Sequence, residues 1–109
     1  MQLLDFYRAI GGAVFTVVSV DKMIVKSLSK FRPSKYFSNR IKSIEYVNSV
    51  FIIDLAEKDG SIDRSPRTYS NIAPLFAKNV IIMADEPIKN DERPITHITI
   101  EDNRTLYLW

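Results

Sequence analysis

The stretch Ser19–Pro33, SVDKMIVKSLSKFRP, decides how the N-terminal half of this chain folds. Ile24, Val25, Leu28 and Phe31 form one apolar stripe at helical spacing, Lys22, Lys26 and Lys30 recur at every fourth position, and Pro33 bars continuation. Ser19 or Asp21 can cap the start. The spacing predicts an amphipathic helix with a basic face. Beyond it, Ser34 can cap a second helical segment, SKYFSNRIKSI, with Tyr36, Phe37, Ile41 and Ile44 turned inward and Lys35, Asn39, Arg40 and Lys42 turned out. Ser and Asn are mediocre helix formers, which weakens this second segment.

Working outward, LLDFYRAI (Leu3–Ile10) carries apolar residues at 3, 6, 7 and 10, the spacing of a short helix that Gly11 or Gly12 can stop. AVFTVVSV (Ala13–Val20) is rich in β-branched and aromatic residues and reads as a buried strand. Apolar residues at 3, 7, 10, 14, 17, 24, 28 and 31 also suit one long helix through the glycines, so that alternative stays open. From Glu45 the pattern turns to strand. EYVNSVFIIDLA is one strand, or two broken at Asn48-Ser49, EKDG (57–60) is a turn and SIDRS a return. SPRTYSNIAP reads as a loop, PLFAK as one helical turn, NVIIMAD as a buried strand and DEPIKNDERP as a polar loop. ITHITI, EDN and RTLYLW form the clearest hairpin. The expected fold is α+β in a single domain, residues 1–109: short N-terminal helices including the basic one, then a β-rich half. Residues 3–67 can be laid onto the order of a winged helix-turn-helix, with Ser34–Ile44 as its recognition element and the EKDG hairpin as its wing.

Composition narrows the chemistry. The chain has 109 residues, no cysteine and one histidine, so a thiolate metal site, a disulfide framework and a cysteine nucleophile are excluded. No metal or cofactor is expected: carboxylates would have to build the metal site, and the three glycines do not form a phosphate-binding or dinucleotide-binding pattern. Asp5, Arg8 and the Gly11-Gly12 pair argue against a membrane span or a signal peptide at the N-terminus, and a cytoplasmic location is expected.

Charge is uneven. Residues 1–44 hold eight Lys/Arg against two acids, and residues 45–109 hold seven against eleven. Such asymmetry suggests an anionic partner or internal pairing. On the first view Lys22, Lys26, Lys30, Arg32, Lys35, Arg40 and Lys42 neutralise phosphates, while Asn39 and Arg40 read base edges. On the second, the lysines are a solvated face and acids of 54–63 or 85–92 fold back onto it. FRPSKYFSNRIK (31–42) resembles the recognition-helix region of AraC-type transcription regulators, in which a Phe is followed by Tyr-Phe-Ser and then by an apolar residue and a Lys. Here these are Phe31, Tyr36, Phe37, Ser38, Ile41 and Lys42. Lys30 stands where that family usually has glycine, and the rest of the chain does not continue the pattern. The resemblance implies a DNA-reading helix.

Carboxylates elsewhere (Asp54, Glu57, Asp59, Asp63; Asp85, Glu86, Asp91, Glu92) sit in polar loops and read as solvated turns rather than acid/base pairs. Alternation places Ile95, His97, Thr99 and Glu101 on one strand face, a His and Glu pair that an RNA-cleaving enzyme would use, though a surface histidine is the plainer reading. The expectation is therefore a non-enzyme that binds nucleic acid or an acidic protein. The competing class is a small interaction module such as an inhibitor, an immunity factor or a virion component, of phage or plasmid origin. It would bind through Tyr107 and Trp109 or dimerise by strand addition at the C-terminal hairpin.

Overall fold

A computed structural model describes residues 1–10, 15–28 (25–28 by backbone alone), 35–58, 63–84 and 92–109. In chain order the elements are α1 (Leu3–Ala9), β1 (Thr16–Val20), β2 (Met23–Leu28), β3 (Ile41–Val47), β4 (Val50–Leu55), α2 (Tyr69–Ile72), a 3-10 turn (Ala73–Leu75), β5 (Ile81–Ala84), β6 (Ile98–Ile100) and β7 (Thr105–Leu108). The fold is α+β.

Four strands form the first sheet in the order β2-β1-β4-β3. It is two antiparallel hairpins laid side by side, with β1 parallel to β4 at the junction. Each hairpin closes through two residues of positive φ: Asp21 and Lys22 (47° and 73°), then Asn48 and Ser49 (51° and 65°). Positive φ at both central positions marks the primed turn whose twist matches that of the flanking strands. Ser49 carries a Cβ where glycine is favoured, so Ser49→Gly is expected to stabilise the fold by about 0.5–1 kcal/mol. A denaturant midpoint that does not rise would contradict this turn.

The inner face of the sheet holds Val18, Ile44, Tyr46, Phe51, Ile53 and Leu55, all buried. Helix α1 lies against it. Seven residues are too few for an isolated helix to persist in water, so packing must supply its stability. Phe6 meets Phe51 edge to face (centroids 5.3 Å apart), and Tyr7 packs on Phe37. The chain start is pinned as well: Leu3 N donates to Asn39 O, Leu4 N to Phe37 O and Ile41 N to Met1 O.

A smaller sheet, β5-β7-β6, closes the core with Ile98, Leu106 and Leu108. The segment between the sheets is tied to the first sheet and to the stretch that leads into β6. Ala77 N donates to Ile44 O on β3, and Ile95 N to Arg67 O. Asp102 shapes the β6–β7 turn, accepting from Arg104 N, Thr105 N and Thr105 Oγ1, and these bonds hold its carboxyl below the usual range. The expected hairpin is present, with Ile98 opposite Leu108 and Ile100 opposite Leu106.

Several expectations need correcting. Met23–Leu28 is a strand, not the middle of a basic helix, and residues 35–44 are turn and strand, not a recognition helix. From residue 3 to residue 55 the described order is helix and four strands, so the two helices that a winged helix-turn-helix needs here are absent from the described residues. The physical reason lies in two bulges. In β2, Lys26 pairs with Val18 and Ile24 with Ser19, so Val25 is the extra residue; in β3, Ile41 pairs with Leu55 and Ser43 with Asp54, so Lys42 is. A bulge turns the two-residue spacing of a strand face into three, which imitates a helix. β1 is central, and its second edge must be paired. β5 was expected to be buried, yet it is an edge strand with Ile81 and Met83 exposed. Residues 69–75, expected as loop and one turn, form α2 and the 3-10 turn. The Gly11-Gly12 cap, Pro33, residues 59–62 of the expected EKDG turn and return strand, and the polar loop 85–91 lie outside the described residues, while Asp63–Ser65, expected to continue that return strand, are not strand.

Candidate nucleic-acid interface

Parallel pairing brings Val20 at the end of β1 beside Leu55 at the end of β4, and antiparallel pairing brings Ile41 at the start of β3 to the same place. Whatever flanks those residues must meet there. The Asp21-Lys22 turn, residues 35–42 and residues 56–58 therefore share one end of the first sheet, and Lys22, Lys35, Arg40, Lys42 and Lys58 gather from three separate stretches of chain. Lys22, Lys35 and Arg40 are exposed. Lys58 Nζ donates to Lys35 O at 2.8 Å, and the Lys35 ammonium stands 5.0 Å from the centre of the Tyr36 ring. A cleft of about 380 Å³ opens between Val20, Lys35, Tyr36, Asn39, Glu57 and Lys58.

Acids partly offset this charge. Lys42 Nζ bonds Asp21 at 2.8 Å, an exposed pair that holds the lysine above its ordinary pKa and contributes little to stability. Asp54 is different. It lies within β4 and is 4% exposed, not in a solvated turn as the sequence suggested. Burial pushes its pKa up, but the Lys22 N–H (2.7 Å) and the Ser19 hydroxyl (2.8 Å) bond Oδ1, Lys22 and Lys42 add positive charge, and the net effect is a lowered carboxyl. Oδ2 is buried with no partner among the described residues. The Asp54 carboxylate thus clamps the β1–β2 turn to β4. A carboxyl that is depressed in the fold contributes stability above its unfolded pKa of roughly 3.9 and loses it as pH falls through the folded value. Asp54→Asn should therefore lower the unfolding free energy at pH 7 more than at pH 3. Equal losses at both pH values in urea titrations would refute the clamp.

The structure sorts the residues expected to touch nucleic acid. Lys22, Lys35, Arg40 and Lys42 come together as described, and Lys58, which the linear reading missed, joins them. Lys26 lies mid-strand opposite Val18, while Lys30 and Arg32 are outside the described residues. Asn39 does not face outward. It is 5% exposed, its Nδ2 donates to Ala56 O at 2.9 Å, and reading a base edge is closed to it in this arrangement. Phe37, in the motif that resembles a DNA-reading helix, is core.

At the other end of the chain, His97 is exposed with Nδ1 3.0 Å from Thr96 Oγ1, outside β6 proper. Trp109 packs on the core beneath the Arg93 guanidinium, 4.4 Å from the ring centre. β7, carrying Tyr107, is the middle strand of its sheet, so both its edges are taken and added strands would have to pair with β5 or β6. Among the described residues no helix is long and apolar enough to cross a membrane, and no group of His, Asp and Glu could hold a metal ion. Comparison with protein-family models, curated proteins and solved structures returned no match.

Proposed function

We propose that the chain is a non-catalytic nucleic-acid-binding protein whose interface is the basic end of the first sheet. One observation carries this reading: Lys22, Lys35, Arg40, Lys42 and Lys58, from three separate stretches of chain, share one end of the first sheet, where Lys35 and Lys58 line a cleft with Tyr36, and Lys22 and Arg40 make no side-chain ion pair or hydrogen bond with the described residues. Long cationic side chains on a rigid sheet end suit phosphates, and an aromatic ring beside them suits a base. Positioning by phosphate contacts, rather than base reading through Asn39, is the mode the site supports.

Fluorescence anisotropy of labelled duplex DNA and single-stranded RNA tests it. With five phosphates contacted, affinity should fall roughly a hundredfold to five-hundredfold between about 50 mM and about 200 mM salt. Absence of binding to either probe at low salt would end the proposal.

A second reading, a small protein-interaction module, is favoured by the edge strand β5, where Ile81 and Met83 are 41% and 44% exposed. It predicts that reversing the five cations leaves function intact and that Ile81→Lys abolishes it.

A further inference from the structure

A cavity lies away from the basic end, where α1, the loop before α2 and the strand-like segment at Pro94-Ile95 meet. It encloses about 950 Å³, within the range of small-molecule sites. Its wall mixes apolar surface from Pro66, Pro94 and Ile95 with the polar side chains of Asp5, Arg8, Arg67, Ser70, Asn71 and Glu92. Arg67 is half-buried and oriented by carbonyls, Nε donating to Ile95 O and Nη1 to Asp5 O at 2.9 Å. No carboxylate pairs with it among the described residues, although Asp5 shares the wall; the guanidinium takes the Asp5 backbone oxygen, not its side chain. The Asp5 carboxylate likewise has no hydrogen-bonding or ionic partner there.

An oriented guanidinium and a carboxylate on one cavity wall, left unpaired with each other, match a ligand that carries both opposite charges. The guanidinium presents a planar fork to a carboxylate, and Asp5 is a counter-charge for an ammonium. Asn71 fits the same role, because its Nδ2 is taken by Pro66 O and Thr68 Oγ1 and this directs its amide. Arg8 and Glu92, on the same wall, have partners of their own, so Arg67 and Asp5 are the charges left to a ligand. We infer that this cavity binds a small zwitterion of the amino-acid or short-peptide type, its carboxylate on Arg67 and its ammonium on Asp5.

The test is an NMR titration of the full chain, following the Arg67 Nε–H and the Ser70 and Asn71 amides, with alanyl-alanine, acetate and ethylammonium as separate probes. Saturable shifts with the dipeptide at least about tenfold tighter than with either single-charge probe are expected. Asp5→Asn, isosteric and retaining the backbone oxygen that holds Arg67, should weaken the dipeptide by about tenfold and leave acetate no weaker. Two results overturn the inference: no saturable shift with the dipeptide, or acetate matching it in both proteins, which would describe an anion site alone.

Discussion

Phe51→Ala should cost roughly 3–5 kcal/mol of stability, the range for removing a buried aromatic ring and leaving its cavity. Phe51 is fully buried on β4, edge-on to Phe6 of α1, and 4.7 Å between centroids from Tyr46 across the β3–β4 pair. It is the point at which helix, central strand and edge strand meet, so the cavity has little room to collapse. Domains of this kind are stable by about 5–15 kcal/mol, so the variant loses about a fifth of that or more and melts roughly 10–20 °C lower. Phe15→Ala is the control: that ring is 44% exposed, and its loss should be within about 1 kcal/mol. Equal melting points for the two variants would show that α1 is not docked on the sheet through Phe51.

The second large effect concerns the basic end. Lys22→Glu/Arg40→Glu/Lys58→Glu should weaken nucleic-acid binding by at least about a hundredfold at 50 mM salt and flatten the salt dependence by about three phosphate contacts' worth. The three residues lie outside the core, and Lys22 and Arg40 are exposed, so the fold is expected to persist, as circular dichroism and the melting midpoint would show. Lys58 separates two versions of the site. If the binding surface were the linear basic segment 22–42, Lys58→Glu alone would do almost nothing. If it is the sheet end, Lys58→Glu should lower affinity several-fold and reduce the salt slope by about one unit. A silent Lys58 variant beside a damaging Lys22 variant would return the site to the linear segment.

How much of this was legible in the sequence follows from the range of the forces involved. Helix α1 was readable because Leu3, Phe6, Tyr7 and Ile10 repeat at helical spacing over a stretch too short to hide a second pattern. β1 was readable from its β-branched run, and the β6–β7 hairpin from alternation on both sides of a turn-forming EDN. These are local preferences, expressed within a few residues. Met23–Leu28 was not readable, because six residues with Ile24, Val25 and Leu28 satisfy either period once a bulge is allowed, and the choice belonged to the open edge of β1.

The candidate binding residues divide in the same way. The sequence by itself determined that this chain carries an excess of cations before residue 44, has no thiol chemistry, and places Lys22, Lys35, Arg40 and Lys42 within one basic stretch. It could not show that Lys58 belongs with them, that Asn39 turns inward to Ala56, or that Asp54 is a buried clamp instead of a loop carboxylate. Those facts depend on β1 lying parallel to β4, a pairing between strands about thirty residues apart, for which hydrophobic periodicity carries no information. Tertiary structure alone decided them, because strand order and register set which ends of the chain's segments share one face of the molecule, and local propensity sets neither.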